Sequence, residues 1–337
     1  MKQQRKPRPR VLLDTNVWRD LADADAGDTV RRVARRAGVT VQIAPSTVYE
    51  ALRTGNPEIR SRMIDLMERS GWVRLMPEAY SGSQEVLREI RRLRPQWLRS
   101  VPDIQSLKRL EHDWARSRGG FWDRARFDTA AEAERVRVLG DQDLAVARSD
   151  AEYLRARARD AGWSFDSIDL AKVKQRSAFP VWGWDGDDVE PWRWAAVAAF
   201  SAALKSPDHA YAEWLSPFVN LAGARASRES WVRFWLYDVA TLNMQRSWIR
   251  WAVEVLQSLR TVSPGTPCDN QLSTYLIECD YFISADGAFV SIVEKCRASA
   301  SFRIASPVRV PGGGRSVSDV AQVLHKIGEA RAGGDRR

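Results

Sequence analysis

Four acidic residues hold comparable places in the pattern of the chain, each just after a predicted strand or in the early turns of a predicted helix. They are Asp14, Glu50, Asp269 and Asp286. Carboxylates that share one pocket repel each other unless a cation neutralises them, and Mg²⁺ and Mn²⁺ accept such oxygen ligands. A cation held in this way lowers the pKa of a bound water, as phosphodiester hydrolysis requires. This chemistry needs no histidine, and the chain has only three.

Predicted strand–helix units position the first two acids. Residues 11–13 are an apolar run that predicts a buried parallel strand, with Asp14 at its end facing a crevice. Asp14 is equally suited to cap the helix that follows, so its position alone leaves two roles open. Residues 39–43 predict a second strand, and Glu50 lies about one turn into the helix that starts at Pro45.

The last two acids belong to a second α/β segment near the end of the chain. Residues 269–279 predict a helix that begins with the third acid, and residues 280–284 predict a strand that ends just before the fourth. Residues 302–304 predict a final strand and residues 318–327 a closing helix. Because a parallel sheet gathers the carboxyl ends of its strands at one edge, we expect all four acids at that edge.

Residues 95–260 differ in composition from the rest of the chain. They hold thirteen of the fifteen tryptophans and carry 24 Lys/Arg against 23 Asp/Glu, a net charge of +1. Their period is mostly helical, with charged helices predicted over residues 121–139 and 141–161 and separated at Gly140. Most of the tryptophans are predicted to be core residues, the alternative being stacking on nucleobases. We therefore interpret this block as an all-α, Trp-rich insertion.

The predicted organisation is an α/β domain in two parts, residues 11–94 and 261–328, split by the insertion over 95–260. A basic tail, residues 1–10, precedes it, and a flexible tail, residues 329–337, follows. The net charge is +9, of which +8 lies outside the insertion, and this favours a polyanion partner held through phosphate contacts. A solvated tail is the alternative reading of the first ten residues. Arginines on the sides of predicted helices are candidate nucleic-acid contacts: Arg31, Arg35, Arg88 and Arg92.

Cysteine usage and hydropathy limit the class of protein. The three cysteines form no CxxC pair, so we expect reduced thiols and no zinc site. No apolar run approaches the roughly 20 residues that cross a membrane. The first ten residues contain no apolar segment typical of a signal peptide. A soluble protein of the cytoplasm, with no membrane contact, is the expectation.

Four short segments together resemble the PIN domain family of metal-dependent nucleases. They follow one another in the family's order: Leu12–Val17 (LLDTNV), Pro45–Glu50 (PSTVYE), Asp269–Leu272 (DNQL) and Phe282–Phe289 (FISADGAF). The resemblance covers about residues 9–94 and 262–310 and implies a PIN-like parallel-sheet sandwich. The long insertion departs from the family's usual compact domain.

The resemblance implies roles for individual residues. The four acids would be the catalytic and metal-binding residues for Mg²⁺ or Mn²⁺, and Asn16 and Ser284 would orient them by hydrogen bonds. Asp280, just before the predicted strand of residues 280–284, is the alternative to Asp286. The implied activity is endonucleolytic hydrolysis of RNA, leaving 5′-phosphate and 3′-hydroxyl ends. Many members of this family are toxins or defence ribonucleases, so an inhibitor or antitoxin protein and a second copy of the chain are further candidate partners.

Three other readings stay open at this point. DNA cleavage is one, because nothing in the sequence reads a 2′-hydroxyl. A catalytically silent PIN-like scaffold that binds RNA or supports assembly is the second. The third is a phosphatase of the haloacid dehalogenase type, which also begins with a strand and an Asp. That chemistry uses a second Asp two residues on, where this chain has Asn16.

Overall fold

A five-stranded parallel sheet forms the centre of the molecule. The computed structural model describes residues 7–69, 71–116, 118–177, 180, 182–260, 266–313 and 316–334. The strands are β1 (Arg10–Leu13), β2 (Thr40–Ile43), β3 (Val73–Arg74), β4 (Tyr281–Ser284) and β5 (Ser306–Arg309). They lie in the order β3-β2-β1-β4-β5, and every neighbouring pair is parallel. The predicted α/β class with a parallel sheet is therefore confirmed.

Sixteen α-helices surround the sheet in the described part of the chain. Those of the first α/β segment are α1 (Thr15–Asp23), α2 (Gly27–Ala37), α3 (Pro45–Leu52), α4 (Pro57–Glu68) and α5 (Glu78–Leu93). Those of residues 95–260 are α6 (Ile104–Ala115), α7 (Phe121–Phe127), α8 (Thr129–Asp160), α9 (Pro191–Ala203), α10 (Ala210–Leu215), α11 (Leu221–Ala226), α12 (Arg228–Arg233) and α13 (Gln245–Ser258). The last three are α14 (Thr266–Ser273), α15 (Gly287–Ser299) and α16 (Ser316–Gly334).

Strand β1 is the middle strand and is buried on both faces. Its three apolar residues Val11, Leu12 and Leu13 are fully buried, as expected of a parallel strand covered by helices. Successive side chains point to opposite faces, so Leu12 joins one hydrophobic cluster while Val11 and Leu13 join the other. The chain emerges from this strand at Asp14.

Helices α9, α12 and α13 of the insertion pack on one face of the sheet, whereas α7 and α8 contribute to the hydrophobic cluster of the other face. The cluster that contains Leu12 from β1 and Phe282 from β4 continues through the apolar residues of α9, α12 and α13. Nine of the thirteen tryptophans between residues 97 and 251 are buried. Their predicted role as core residues is therefore confirmed for most of them. The sheet and the insertion share one hydrophobic core on this side.

The predicted division of the charged helices is wrong. Helix α7 ends at Phe127, and α8 then runs for 32 residues through Gly140 without a break. A single glycine costs a helix only about 1 kcal/mol relative to alanine, which a long packed helix tolerates. The break falls instead at Asp128, whose backbone leaves the helical region.

Two predictions near the C-terminus are also corrected. The last strand is not residues 302–304 but β5, which pairs with β4 and contains Pro307. Proline is tolerated there because β5 is an edge strand. Helix α16 extends past the predicted end at residue 327 and through most of the predicted flexible tail, because it packs against α2. Gly328 allows this close approach, since a Cβ at that position would lie 2.5 Å from the carbonyl oxygen of Ala37.

Some sequence predictions concern residues outside the described ranges. These are the first six residues of the basic tail, the first five residues of the second α/β part (residues 261–265) and the last three residues. Among the residues that are described, no helix combines the length and the apolar character needed to cross a bilayer.

Candidate metal centre

Three of the four predicted acids meet at the carboxyl edge of the sheet. Asp14, Glu50 and Asp269 each offer one carboxylate oxygen, and these oxygens all lie within 4.8 Å of one another. Asp14 directly follows β1, Glu50 lies in the helix that follows the neighbouring strand β2, and Asp269 lies in the first turn of α14. Three separate segments of the chain therefore place their carboxylates around one point.

Asp14 is held by hydrogen bonds on both of its oxygens. Its Oδ1 accepts from the backbone N–H of Thr15 at 2.7 Å, so the side chain also caps α1. Its Oδ2 accepts from Asn16 Nδ2 at 2.8 Å and from the hydroxyl of Ser284. A carboxylate offers about four acceptor positions, so these three bonds leave room for a cation. Asp14 therefore caps α1, which is one of the two roles that the sequence left open, and it also belongs to the three-carboxylate group. Both predicted supporting residues, Asn16 and Ser284, contact it.

The other two carboxylates have partners that the sequence did not indicate. The hydroxyl of Thr15 donates to Glu50 Oε2 at 2.5 Å. Gln257, near the end of α13 in the insertion, donates from Nε2 to Asp269 Oδ2 at 3.4 Å. Thr15 lies within the motif that carries the resemblance, whereas nothing in the spacing of the sequence relates Gln257 to the acids.

Asp286 lies at the same edge but outside the closest group. Its Oδ1 accepts from the backbone N–H groups of Ala288 at 2.7 Å and Phe289 at 3.1 Å, which caps α15. Its own N–H donates to Ser284 Oγ at 2.9 Å, which ties it to the hydroxyl that holds Asp14. The fourth predicted acid is therefore an exposed neighbour of the three-carboxylate group.

Asp280, the alternative fourth acid, lies at the opposite edge of the sheet. It precedes β4, and its carboxylate accepts from the backbone N–H of Arg10 at 2.7 Å, at the start of β1. A second oxygen pairs with Arg303 at 2.8 Å. This prediction is wrong because a residue before a parallel strand belongs to the amino edge, whereas the other acids follow their strands.

Burial and mutual repulsion hold protons on the cluster. Burial, opposed by its hydrogen bonds, raises the pKa of Asp14 to about 6. Burial, followed by the charge of Asp14, raises the pKa of Glu50 to about 7. The pKa of Asp269 is raised well above its usual value, first by burial and then by the charges of the other acids. A divalent cation would relieve this repulsion and displace the protons.

The donor set favours a hard cation. The three nearest groups are all carboxylates, which suit Mg²⁺ and Mn²⁺. Cys268 lies next to Asp269 in the chain, but its sulfur is not among the ligand atoms that come together there. All three cysteines are buried and free. The carboxylate group therefore fits the expected cofactors.

The predicted nucleic-acid-binding arginines are not at this edge. Arg31 and Arg35 lie on α2, which ends three residues before β2 begins and so leads to the amino edge. Arg88 and Arg92 lie on α5, about 15 and 21 Å along the helix from its start near the carboxyl edge. Arg92 is also bound to the buried Glu89 at 2.6 Å.

Two other arginines lie near the acids. Arg53 follows α3, donates from Nη1 to Cys268 Sγ at 3.5 Å, and its charge lowers the pKa of Glu50 against the dominant effect of burial. Arg309 ends β5 beside Ser284 and is exposed. Its guanidinium lies against Gly287, where an added Cβ would be 2.9 Å from Arg309 Cζ. Neither arginine was among the predicted contacts, and Arg309 escaped notice because the last strand was predicted at residues 302–304.

The α/β class, the parallel sheet and the three-carboxylate cluster are observed features of the molecule. Compared with known proteins, the chain matches no family model, no curated protein and no solved structure.

Proposed function

We propose that this chain is a PIN-like, metal-dependent endoribonuclease that hydrolyses RNA phosphodiester bonds at the carboxyl edge of its sheet. The observation that carries the proposal is the group formed by Asp14, Glu50 and Asp269, whose oxygens lie within 4.8 Å of one another. Three carboxylates at this spacing form a poor structural contact and a good site for a divalent cation. Parallel sheets also place their active sites at this edge.

The side chains at the carboxyl edge have different proposed roles. Asp14, Glu50 and Asp269 hold the cation, and Asp286 adds negative charge beside them. When bound, Mg²⁺ or Mn²⁺ would supply an activated water for attack on phosphorus, and a second ion would neutralise the leaving oxygen. Arg53 and Arg309 lie on either side of the acids, where cations offset the charge of a bound phosphate chain.

The choice of RNA and the biological role rest on the resemblance to PIN domains. A net charge of +9 supports a polyanion substrate in general, without distinguishing RNA from DNA. We extend the proposal to a toxin or a defence or stress effector acting in the cytoplasm, with an inhibitor protein as its partner. This extension has the family resemblance as its only support.

Cleavage of labelled RNA tests the proposed activity. Single-stranded RNA, structured RNA and single-stranded DNA are incubated with Mg²⁺, Mn²⁺ or EDTA. We expect metal-dependent cleavage of RNA by the wild type, none in EDTA, and a loss of at least about a hundredfold in Asp14→Asn. Asp280→Asn is the matched control, because it removes a carboxylate at the opposite edge of the sheet and should cleave normally.

The other outcomes have distinct meanings. Binding of RNA with no cleavage in any metal, by wild type and Asp14→Asn alike, would support the silent scaffold instead. Cleavage of DNA with RNA left intact would change the substrate class but keep the metal centre. Cleavage that continues in EDTA would contradict the proposed mechanism.

A further inference from the structure

A cavity of about 330 Å³ lies beside the acids, between the α/β segments and the insertion. Helices α3 and α14 supply one wall, and α6, α7 and α8 supply the other. Its size is in the range of small-molecule sites, about 300–1,000 Å³. Its lining includes Tyr49, Arg53, Trp114, Phe121, Arg124 and Cys268. A second cavity, of about 410 Å³, is lined by Trp182, Trp194 and other residues of the insertion, none of which is next in the chain to an acid of the metal centre.

The lining of the cavity adjoins the metal centre along the chain. Two of its lining residues, Tyr49 and Cys268, immediately precede the acids Glu50 and Asp269 in the chain. Arg53 contacts both the cavity and the metal centre. It lines the cavity, donates a hydrogen bond to Cys268 Sγ at 3.5 Å, and its charge lowers the pKa of Glu50 against the dominant effect of burial. A molecule bound across this boundary would contact the acids and the cavity together.

Three aromatic rings shape the interior. The Trp114 and Phe121 rings lie 4.4 Å apart at an angle of 36°, and the Tyr49 ring meets Phe121 edge-on at 5.3 Å. Phe121 is buried, whereas Trp114 and Tyr49 are half-buried and keep part of their surface open. Ring surfaces of this kind bind flat heterocycles by stacking.

The charges favour an anionic ligand. Three arginines and one glutamate line the cavity, a balance of +2. Arg124 is held by Asp113 at 2.8 Å and by Glu132 at 3.0 Å, and Arg135 is held by Glu132 at 2.6 Å. Arg53 therefore stands out as the cation on the side of the acids. A flat base attached to a phosphate matches both the rings and this charge.

We propose that the cavity receives one unpaired nucleobase of the substrate, next to the phosphate that lies at the acids, with Arg53 contacting that phosphate. This inference rests on the proposed function. It gives the insertion a role, because α6, α7 and α8 form the wall that holds Trp114 and Phe121. A base paired within a helix cannot enter such a pocket, so the substrate class becomes single-stranded or looped RNA.

The test compares Trp114→Ala with Trp182→Ala, a control variant that removes an exposed tryptophan of the other cavity. Each variant is assayed on three single-stranded oligonucleotides. One is complete, and each of the other two lacks the base of one nucleotide that flanks the cut. Stacking supports about a 5- to 100-fold effect. On the complete substrate, we expect Trp114→Ala to have a kcat/KM lower than that of the wild type by this factor. On the substrate that lacks the base received by the cavity, the two proteins should have the same kcat/KM. Trp182→Ala should match the wild type on both.

Arg53→Gln provides a second variant that does not alter aromatic packing. This substitution should lower kcat/KM by the same factor for the complete and the abasic substrates, because the proposed contact of Arg53 is with phosphate. Equal effects of Trp114→Ala on complete and abasic substrates would overturn the base pocket while leaving the nuclease activity in place.

A binding measurement separates the two proposals. The same oligonucleotides are titrated by fluorescence anisotropy against Asp14→Asn protein carrying each substitution. If no variant cleaves RNA, the proposed function fails, and this titration alone decides the cavity. A base-dependent loss of affinity in the Trp114→Ala protein supports the pocket, and unchanged affinity overturns it.

Discussion

At the scale of single residues, Asp14 combines a helix cap with a place in the three-carboxylate group. It caps α1 through Oδ1 and receives Asn16 and Ser284 on Oδ2. These bonds fix the carboxylate before any ligand arrives, so little side-chain entropy remains to be lost on binding. Part of this was predictable, because Asp14, Asn16 and Ser284 belong to short contiguous motifs. Gln257 was not, because only the packing of α13 brings it to Asp269.

Ser284→Ala should weaken metal binding without removing a ligand. The variant deletes the hydroxyl that donates to Asp14 and accepts from the N–H of Asp286 at 2.9 Å. Loss of such a supporting partner typically costs 10- to 100-fold in metal affinity or activity. We expect the Mn²⁺ concentration for half-maximal cleavage to rise by about this factor. Ser291→Ala, which loses only a bond to a helix carbonyl, should not change it.

Glu68 should make the stability of the protein depend on pH. Burial, opposed mainly by the charge of Arg74, raises its pKa from 4.5 to about 7 in the folded chain. Its protonated form is therefore favoured by folding. Protonation of Glu68 therefore stabilises the folded chain fully below about pH 4.5, and this stabilisation is lost as the pH rises through about 7.

Urea unfolding at acid and neutral pH measures this effect. Between pH 4.5 and 8 the wild type should lose about 1–3 kcal/mol of unfolding free energy relative to Glu68→Gln. Glu134→Gln, at an exposed position whose pKa is lowered, serves as the control. Parallel pH profiles for the wild type and Glu68→Gln would contradict this reading.

At the scale of elements, the strands and helices around the acids were more predictable than those of the insertion. The apolar run before Asp14 and the β-branched run before Ala44 mark buried strands by composition alone. Strand β5 was misplaced because its Ser-Pro-Val-Arg sequence has no such signal, and only pairing with β4 makes it a strand. Gly140 was read as a break because local propensity does not include the packing that supports α8.

Arg246 should be essential for joining the last helix of the insertion to the α/β segments. This residue of α13 is buried, and its guanidinium pairs with Glu85 of α5 at 2.7 Å and with Glu278. Arg246→Ala leaves the buried Glu85 carboxylate without its cation, which costs about 3–5 kcal/mol. The urea midpoint should fall accordingly.

The matched control for Arg246 is an exposed ion pair in the same part of the chain. Arg176 pairs with Asp188 at 2.7 Å, but its side chain is 75% exposed. Such pairs contribute about 0–1 kcal/mol, so Arg176→Ala should unfold almost like the wild type. A similar small effect in Arg246→Ala would show that α13 is held by its apolar contacts alone.

At the scale of the whole molecule, the relation between the insertion and the sheet is the feature that the sequence did not reveal. Composition located the insertion, and the helical spacing of its tryptophans indicated core residues. The shared core with β1 and β4, and the cavity beside the acids, depend on contacts between elements that are far apart in the chain. Such contacts leave no periodic signal in a single sequence.

The positions of two arginines predict which edge of the sheet binds RNA. Arg309 lies beside Ser284 at the carboxyl edge, whereas Arg35 lies on the helix that leads to the amino edge. In an Asp14→Asn background, we expect Arg309→Gln to flatten the log–log salt dependence of single-stranded RNA binding by about 0.7, the loss of one phosphate contact. Arg35→Gln should leave the slope unchanged. The reverse result would place the RNA on the opposite edge.

Equilibrium binding of Mn²⁺, followed by loss of the free-ion paramagnetic signal, tests the central claim that three carboxylates form a cation site. The wild type should bind Mn²⁺, and Glu50→Gln and Asp269→Asn should each bind at least about tenfold more weakly, because each loses one ligand. Asp280→Asn, with its carboxylate at the far edge, should bind like the wild type. Absence of wild-type binding at millimolar Mn²⁺, or equal binding by Asp269→Asn, would contradict the account.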